Sequence, residues 1–89
     1  MSETRHVMNI NEEQRKRGAL AMWTVYDRPR DCPDRYVARC FAVKGGSTPT
    51  EHIIASHSLQ RLRMVLNAAG MACVNRDKRD DPKIVETWI

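Results

Sequence analysis

The fold is decided by residues 22–44, MWTVYDRPRDCPDRYVARCFAVK. The residues at 23–26 are strand formers, and the run at 27–34, with two prolines, is typical of a turn-rich loop. Residues 36–44 alternate as a second strand does, with the larger apolar side chains and Arg39 on one face. The other face is a row of mostly smaller residues: Tyr36, Ala38, Cys40 and Ala42. Small side chains allow a close approach, so we expect a helix to pack over this row.

The second half of the chain predicts one helix between further strands. A loop at residues 45–49 precedes a short third strand at residues 51–55. Ser58 is a candidate N-cap for a helix over residues 59–69, and Gly70 is a candidate stop. Apolar residues recur in this helix at helical spacing: Leu59, Leu62, Val65, Leu66 and Ala69. The opposite face is expected to point to solvent: Gln60, Arg61, Arg63 and Asn67.

Two strands are expected to complete the sheet as a hairpin, at residues 71–74 and 84–89, joined by the charged loop 75–83. The fold class predicted is therefore α+β. It is a small antiparallel sheet of four or five strands with one helix packed on one face, in the order ββ(β)αββ. Residues 22–89 form this single domain.

Residues 1–21 are predicted to be a tail or an appended N-terminal helix, because they lack strand-like alternation. The helix-prone run covers residues 11–21, with Asn9 or Asn11 as its cap. Gly18 interrupts this run, and its apolar face is thin. The order of this segment is expected to depend on a partner.

Composition narrows the class of protein. The chain has 89 residues, of which 42% are hydrophobic and 29% charged, which is typical of one globular domain. It contains no long apolar run for a membrane span, and its N-terminus lacks the apolar core of a signal peptide. Three cysteines, an odd count, suit a reducing compartment, so we expect a cytoplasmic protein with no structural disulfide.

Metal binding and nucleophilic catalysis have weak candidates. His52 and His57 have the spacing of zinc-binding histidines, but the three cysteines form no CxxC pair, and Cys40 is expected to lie in the core. Ser56 and Ser58 lie near the histidines, yet no motif fixes a nucleophile beside its base, and Ser58 is better explained as a helix cap. We expect solvated histidines and no metal.

The candidates for acid–base catalysis and for phosphate binding are also weak. Asp80 and Asp81 precede a proline in a basic loop that would keep both carboxylates ionised. Residues 45–48, GGST, lack the spacing of a phosphate-binding loop and lead into Pro49 instead of a helix. We therefore predict a protein that is not an enzyme and that needs no cofactor.

Macromolecular binding is the remaining class. We favour a protein-binding module, an adaptor or inhibitor, that uses the outer sheet face or an exposed edge strand such as residues 84–89, or that self-associates. The alternative is RNA or DNA binding by arginines and aromatic residues on the sheet. The formal charge is +4, but aspartates are interleaved with the arginines of the loop. The predicted partner contacts are Arg28, Arg30, Arg35 and Arg39, with Trp88 as a hydrophobic anchor.

Three stretches resemble a group of short bacterial or phage-related proteins of uncharacterised function: MWTVYDRP at 22–29, YVAR at 36–39 and DDPKIVETW at 80–88. The resemblance covers residues 22–89. It implies a bacterial or mobile-element origin, and it implies no activity and no site residues. Met22 matches the start of the shorter form, so the resemblance also implies that residues 1–21 are an upstream extension.

Overall fold

A computed structural model describes residues 2–74 and 81–89, and these residues form five strands and two helices. The elements are α1 (Ser2–Lys16), β1 (Leu20–Asp27), β2 (Tyr36–Val43), β3 (Ser47–Ser56), α2 (Leu59–Ala68), β4 (Cys73–Val74) and β5 (Ile84–Trp88). The sheet has the order β3-β2-β1-β5-β4, and each neighbouring pair is antiparallel. The predicted α+β class is confirmed.

The core lies between the sheet and the helices, on what we call the helix face. Ala38 and Cys40 of β2 are fully buried there, as are Trp23 and Val25 of β1. From α2, three side chains with no exposed surface fill the space above them: Leu62, Val65 and Leu66. The helix therefore packs over the small-residue row of β2, as its sequence predicts.

The ends of α2 follow from local sequence. Ser58 caps the first turn, because its hydroxyl accepts a hydrogen bond from the Arg61 N–H at 3.2 Å. At the other end Gly70 has a φ of 84°, and its N–H donates to the Asn67 carbonyl at 3.0 Å. The next N–H, of Met71, donates to the Leu66 carbonyl at 3.2 Å. These two bonds form a Schellman motif, which ends the helix where the sequence predicts.

The N-terminal helix differs from its prediction in position. It covers Ser2–Lys16 and ends at a second Schellman motif, in which Gly18 has a φ of 78°. Leu20 and Ala21 belong to β1, so a boundary after residue 21 falls inside a strand. The apolar face of α1 lies upstream of residues 11–21, the predicted helical run: Val7 is fully buried and Ile10 is 5% exposed.

Polar contacts also fix α1 to the rest of the structure. The Trp23 indole N–H donates to the Asn11 side-chain oxygen at 2.8 Å, which ties α1 to the central strand. Arg61 on α2 pairs with Glu3, and the Lys44 ammonium donates to the Arg17 carbonyl at 3.2 Å. The helix is thus packed into the same core as α2.

The third strand is longer than predicted. A tight turn, in which the Lys44 N–H donates to the Gly46 carbonyl, lets β3 begin at Ser47. The register with β2 shifts between the pairs Phe41–Pro49 and Arg39–Ile53. Pro49 is tolerated because β3 is an edge strand.

The last strand, by contrast, is not an edge. It pairs with β1 on one side and with the short β4 on the other. Most of the predicted charged loop at 75–83 lies outside the described residues.

Gly70→Ala should lower the free energy of unfolding by about 1–2 kcal/mol, because an L side chain is strained at this positive φ. A Cβ at Gly70 would meet nothing within 4 Å, so the loss would come from the backbone alone. Gly46→Ala is the matched control, since Gly46 has equal space and no positive φ. Urea denaturation of the two variants checks this. Equal stability would contradict the role assigned to Gly70.

Candidate functional site

The face of the sheet opposite the helices, which we call the outer face, carries a groove. Its lining comes from strands β1, β2 and β3, from the loop after β1 and from the residues just before β5. The lining residues are Tyr26, Pro29, Arg30, Asp31, Arg39, Phe41, Pro49, Asp81 and Lys83. This outer-face groove has a volume of about 600 Å³.

Arg39 is the central cation of the outer-face groove. Its Nη2 lies 3.2 Å from an Asp31 carboxylate oxygen, so the loop after β1 is held against the sheet. Its Nε is buried and has no hydrogen-bond acceptor among the described residues. The Arg39 side chain is 34% exposed, so it is partly solvated as well as paired with a carboxylate.

The other arginines predicted as contacts lie in different surroundings. Arg28, with a φ of 46°, donates to Asp27 at 2.7 Å, and its guanidinium lies 5.6 Å from the centre of the Tyr36 ring. This hydrogen bond holds the pKa of Asp27 below its usual value. Arg30 is exposed and lines the outer-face groove, whereas Arg35 is exposed outside it. Of the predicted contacts, Arg30 and Arg39 line the outer-face groove together, and Arg28 and Arg30 line a neighbouring depression.

Trp88 is not a surface anchor. It is 7% exposed, and its indole N–H donates to Glu86 at 2.8 Å. The same carboxylate accepts three hydrogen bonds from Arg63, two from Nε at 3.2 Å and one from Nη2 at 2.8 Å. Arg63, predicted to point to solvent, therefore turns onto the sheet to neutralise a carboxylate whose side chain is only 9% exposed.

A second groove, which we call the helix-side groove, lies where α1, the end of α2 and the start of β1 meet. It also measures about 600 Å³. Three large apolar side chains that line it are about half exposed: Met8 at 50%, Leu20 at 54% and Ile89 at 48%. Asn9, Glu12 and Arg15 supply polar groups around them. Sequence reasoning missed this groove because its apolar residues come from distant parts of the chain.

The backbone holds the helix-side groove in shape. Ala72 and Ile89 exchange two hydrogen bonds, of 2.7 and 3.0 Å, which fix the position of Ile89. Leu20 follows the Schellman motif at the end of α1 directly, so its place is set by that turn. Backbone hydrogen bonds therefore set the positions of both Leu20 and Ile89 at the groove.

The candidate metal and catalytic residues stay apart. Among residues 2–74 and 81–89, no group of three or more His, Cys, Asp or Glu side chains is placed to hold a metal ion. His57 is exposed, with its Nδ1 lying 3.3 Å from the Asp34 carbonyl, while His52 is half-buried on β3. Ser56 accepts a hydrogen bond from the Ser58 N–H, and Asp81 accepts one from the Lys83 N–H. These groups stabilise turns; Asp80 lies outside the described residues.

The three cysteines are free thiols in different surroundings: Cys40 is buried, Cys32 is half-buried and Cys73 is exposed. Burial raises the pKa of Cys40, and a hydrogen bond with Thr50 offsets part of that rise. Partial desolvation and the nearby Glu86 carboxylate raise the pKa of Cys73, and the positive charge of Arg63 offsets part of this rise.

Both edges of the described sheet are poorly suited to adding a strand. β4 has two residues, and β3 carries Pro49 and a register shift. Residues 84–89, our candidate edge, lie inside the sheet. Neither helix in the described part of the chain is long and apolar enough to cross a membrane.

Comparison of the chain with protein-family models, with curated proteins and with solved structures found no match. The resemblance of residues 22–89 to short bacterial proteins therefore stays a prediction.

Arg63→Met should lower the free energy of unfolding by roughly 1–3 kcal/mol, because it leaves the Glu86 carboxylate buried without its cation. Arg61→Met is the matched control on the same helix, since Arg61 forms an exposed pair with Glu3, and such a pair contributes at most about 1 kcal/mol. Urea unfolding measures both losses. If the Arg61 variant loses as much stability as the Arg63 variant, the role given to the Glu86 pair is wrong.

Thiol labelling of the folded protein should modify Cys73 and leave Cys40 unmodified until the protein unfolds. The thiolate is the reactive form, so the rate at Cys73 should still increase as the pH passes 9.0, the ordinary value above which its pKa is raised. Mass spectrometry of a time course with iodoacetamide measures each site. A rate at Cys73 that levels off below pH 9.0, or early labelling of Cys40, would contradict the assigned surroundings.

Proposed function

We propose that this protein is a non-enzymatic binding module, an adaptor or inhibitor, that docks another protein in its helix-side groove. The observation that supports this is the clustering of Met8, Leu20 and Ile89 around one groove, each about half exposed. Single exposed apolar residues are ordinary, but a contiguous group rimmed by polar residues is typical of an interaction surface.

The groove favours a partner segment with an apolar anchor. Glu12 and Arg15 of the rim carry opposite charges and pair with each other at 2.9 Å, so the rim has no net charge to attract a charged segment. An amphipathic helix fits this arrangement best, because its apolar face can lie against the three side chains while its polar face stays in water. The Met side chain adapts easily to different anchor shapes.

The cysteines support a reducing compartment for this binding, with the cytoplasm as the proposed location. All three are free thiols, and one of them is exposed. An exposed thiol in an oxidising compartment would form mixed disulfides. The proposed module therefore meets its partner inside the cell.

Met8→Glu and Leu20→Glu should each weaken partner capture about tenfold or more, since each places a carboxylate among apolar contacts at the groove. Met64→Glu is the matched control, because Met64 is 59% exposed on α2 and does not line the groove. Quantitative affinity capture from the native host compares the proteins retained by each variant, after circular dichroism has shown equal folding.

A protein captured by the wild type and by Met64→Glu, but lost with both groove variants, would support the proposal. Capture that is equal for all four forms would overturn it. Light scattering during size-exclusion chromatography distinguishes a second copy of the chain as the partner, since the groove variants would then be monomers at concentrations where the wild type is a dimer.

A further inference from the structure

Arg63 and Arg39 differ in how many nitrogens of their Nε–Nη2 edge have a hydrogen-bond acceptor. Arg63 presents the edge formed by Nε and Nη2 to Glu86, and both nitrogens have an acceptor. Arg39 uses Nη2 alone, on Asp31 at 3.2 Å, and its Nε has no acceptor among the described residues. Buried donors in proteins are rarely left unpaired. An oxyanion that replaced Asp31 on this edge would give Nε the acceptor that it lacks.

The Asp31 carboxylate is a weak occupant of this edge. Its side chain is 68% exposed and lies on the loop after β1, so it can rotate into water at little cost. An incoming phosphate with more charge and more acceptor oxygens would bind the fork of Arg39 in its place, because guanidinium and phosphate match in a bidentate geometry.

The charges around Arg39 favour an anion. Arg30 and Lys83 line the same groove, against the two carboxylates Asp31 and Asp81. Asp81 accepts a hydrogen bond from the Lys83 backbone N–H at 2.8 Å, which holds it in a turn. With Asp31 turned away, the described lining of the groove carries three cations, Arg30, Arg39 and Lys83, and the carboxylate of Asp81, which is a positive balance.

The rest of the lining favours a flat ring. Tyr26 and Phe41 present partly exposed aromatic side chains on neighbouring strands, and Pro29 and Pro49 add apolar surface. Aromatic side chains on an open sheet face bind nucleic-acid bases by stacking. The groove volume of about 600 Å³ lies in the range of small-ligand sites.

We propose that the outer-face groove binds a nucleoside phosphate, with the phosphate on the Nε–Nη2 edge of Arg39 and the base against Phe41, two residues along the same face of β2. The ligand is a free nucleotide or one unit of a single strand, since both offer the same chemistry. This site lies on the face opposite the helices and is independent of the helix-side groove, so it survives if that proposal fails.

Titration of the ¹⁵N-labelled protein tests this with five probes: adenosine monophosphate, uridine monophosphate, adenosine, inorganic phosphate and a short single-stranded oligonucleotide. Both monophosphates should shift the amides around Tyr26, Arg39 and Phe41, and should bind more tightly than adenosine or phosphate alone. Binding should weaken as salt is added. An oligonucleotide that binds more tightly than the monophosphates identifies a single strand as the ligand, and equal affinity identifies the free nucleotide.

Arg39→Lys should weaken binding of the monophosphates about tenfold or more, because lysine keeps the charge and loses the fork. Arg35→Lys is the matched control, an exposed arginine just before β2 that does not line the groove, and it should leave affinity unchanged. Phe41→Leu should weaken nucleotide binding while leaving phosphate binding as it is. This variant carries the test if Arg39→Lys does not fold.

The proposal is overturned if the monophosphates cause no shifts at low salt, or if the shifts lie on the helices. It is also overturned if inorganic phosphate binds as tightly as the nucleotides, which would leave only an anion site without a base. Phosphotyrosine serves as a sixth probe, and if it binds more tightly than either monophosphate, the groove belongs to another class of ligand and the proposal is overturned as well.

Discussion

The fold depends on the burial of one indole, that of Trp23. This side chain has no exposed surface, and it lies on the central strand where it is paired with Cys40 on one side and Trp88 on the other. A buried indole needs an acceptor for its N–H, and Asn11 supplies it from α1. The requirement of a single polar atom thus connects the N-terminal helix with three strands, which is why α1 belongs to the core.

The two helices cover one face of the sheet, so the other face has to be shielded from solvent in a different way. The helix face is closed by aliphatic side chains of α1 and α2, whereas the outer face is closed in part by a loop held through the Asp31–Arg39 pair. Ion pairs at a surface are weaker than apolar packing. The helix face is therefore held more strongly than the outer face. The helix-side groove is lined by apolar side chains next to this packed core, whereas the outer-face groove is lined by charged side chains whose ion pairs can rearrange.

Sequence reasoning succeeded where a local signal determines the structure. Ser58 and Gly70 mark the ends of α2 by their own backbone chemistry, and alternation identified β2 and its small-residue row. It failed where burial depends on a residue far along the chain. Val7 and Ile10 are two apolar residues in a polar run. They become part of the core because they pack in one cluster with Trp23 and the apolar side chains of α2.

The same limit applies to the candidate contacts. The alternating pattern of residues 84–89 could not show whether this strand lies at an edge or inside the sheet. Trp88 is buried because the strand lies inside the sheet. Helical periodicity put Arg63 on the solvent side, because its partner Glu86 is distant in sequence. In the same way, no pattern indicated that Asp31 would leave half of the Arg39 fork open.

The bulged edge of β3 has a consequence for the protein at high concentration. A regular ten-residue edge strand would be a template on which further chains could stack into fibrils. Pro49 removes one donor from that edge, and the register shift beside it bends the strand away from a flat ladder. Together with the brevity of β4, this protects a small sheet whose outer face is only partly covered against edge-to-edge aggregation.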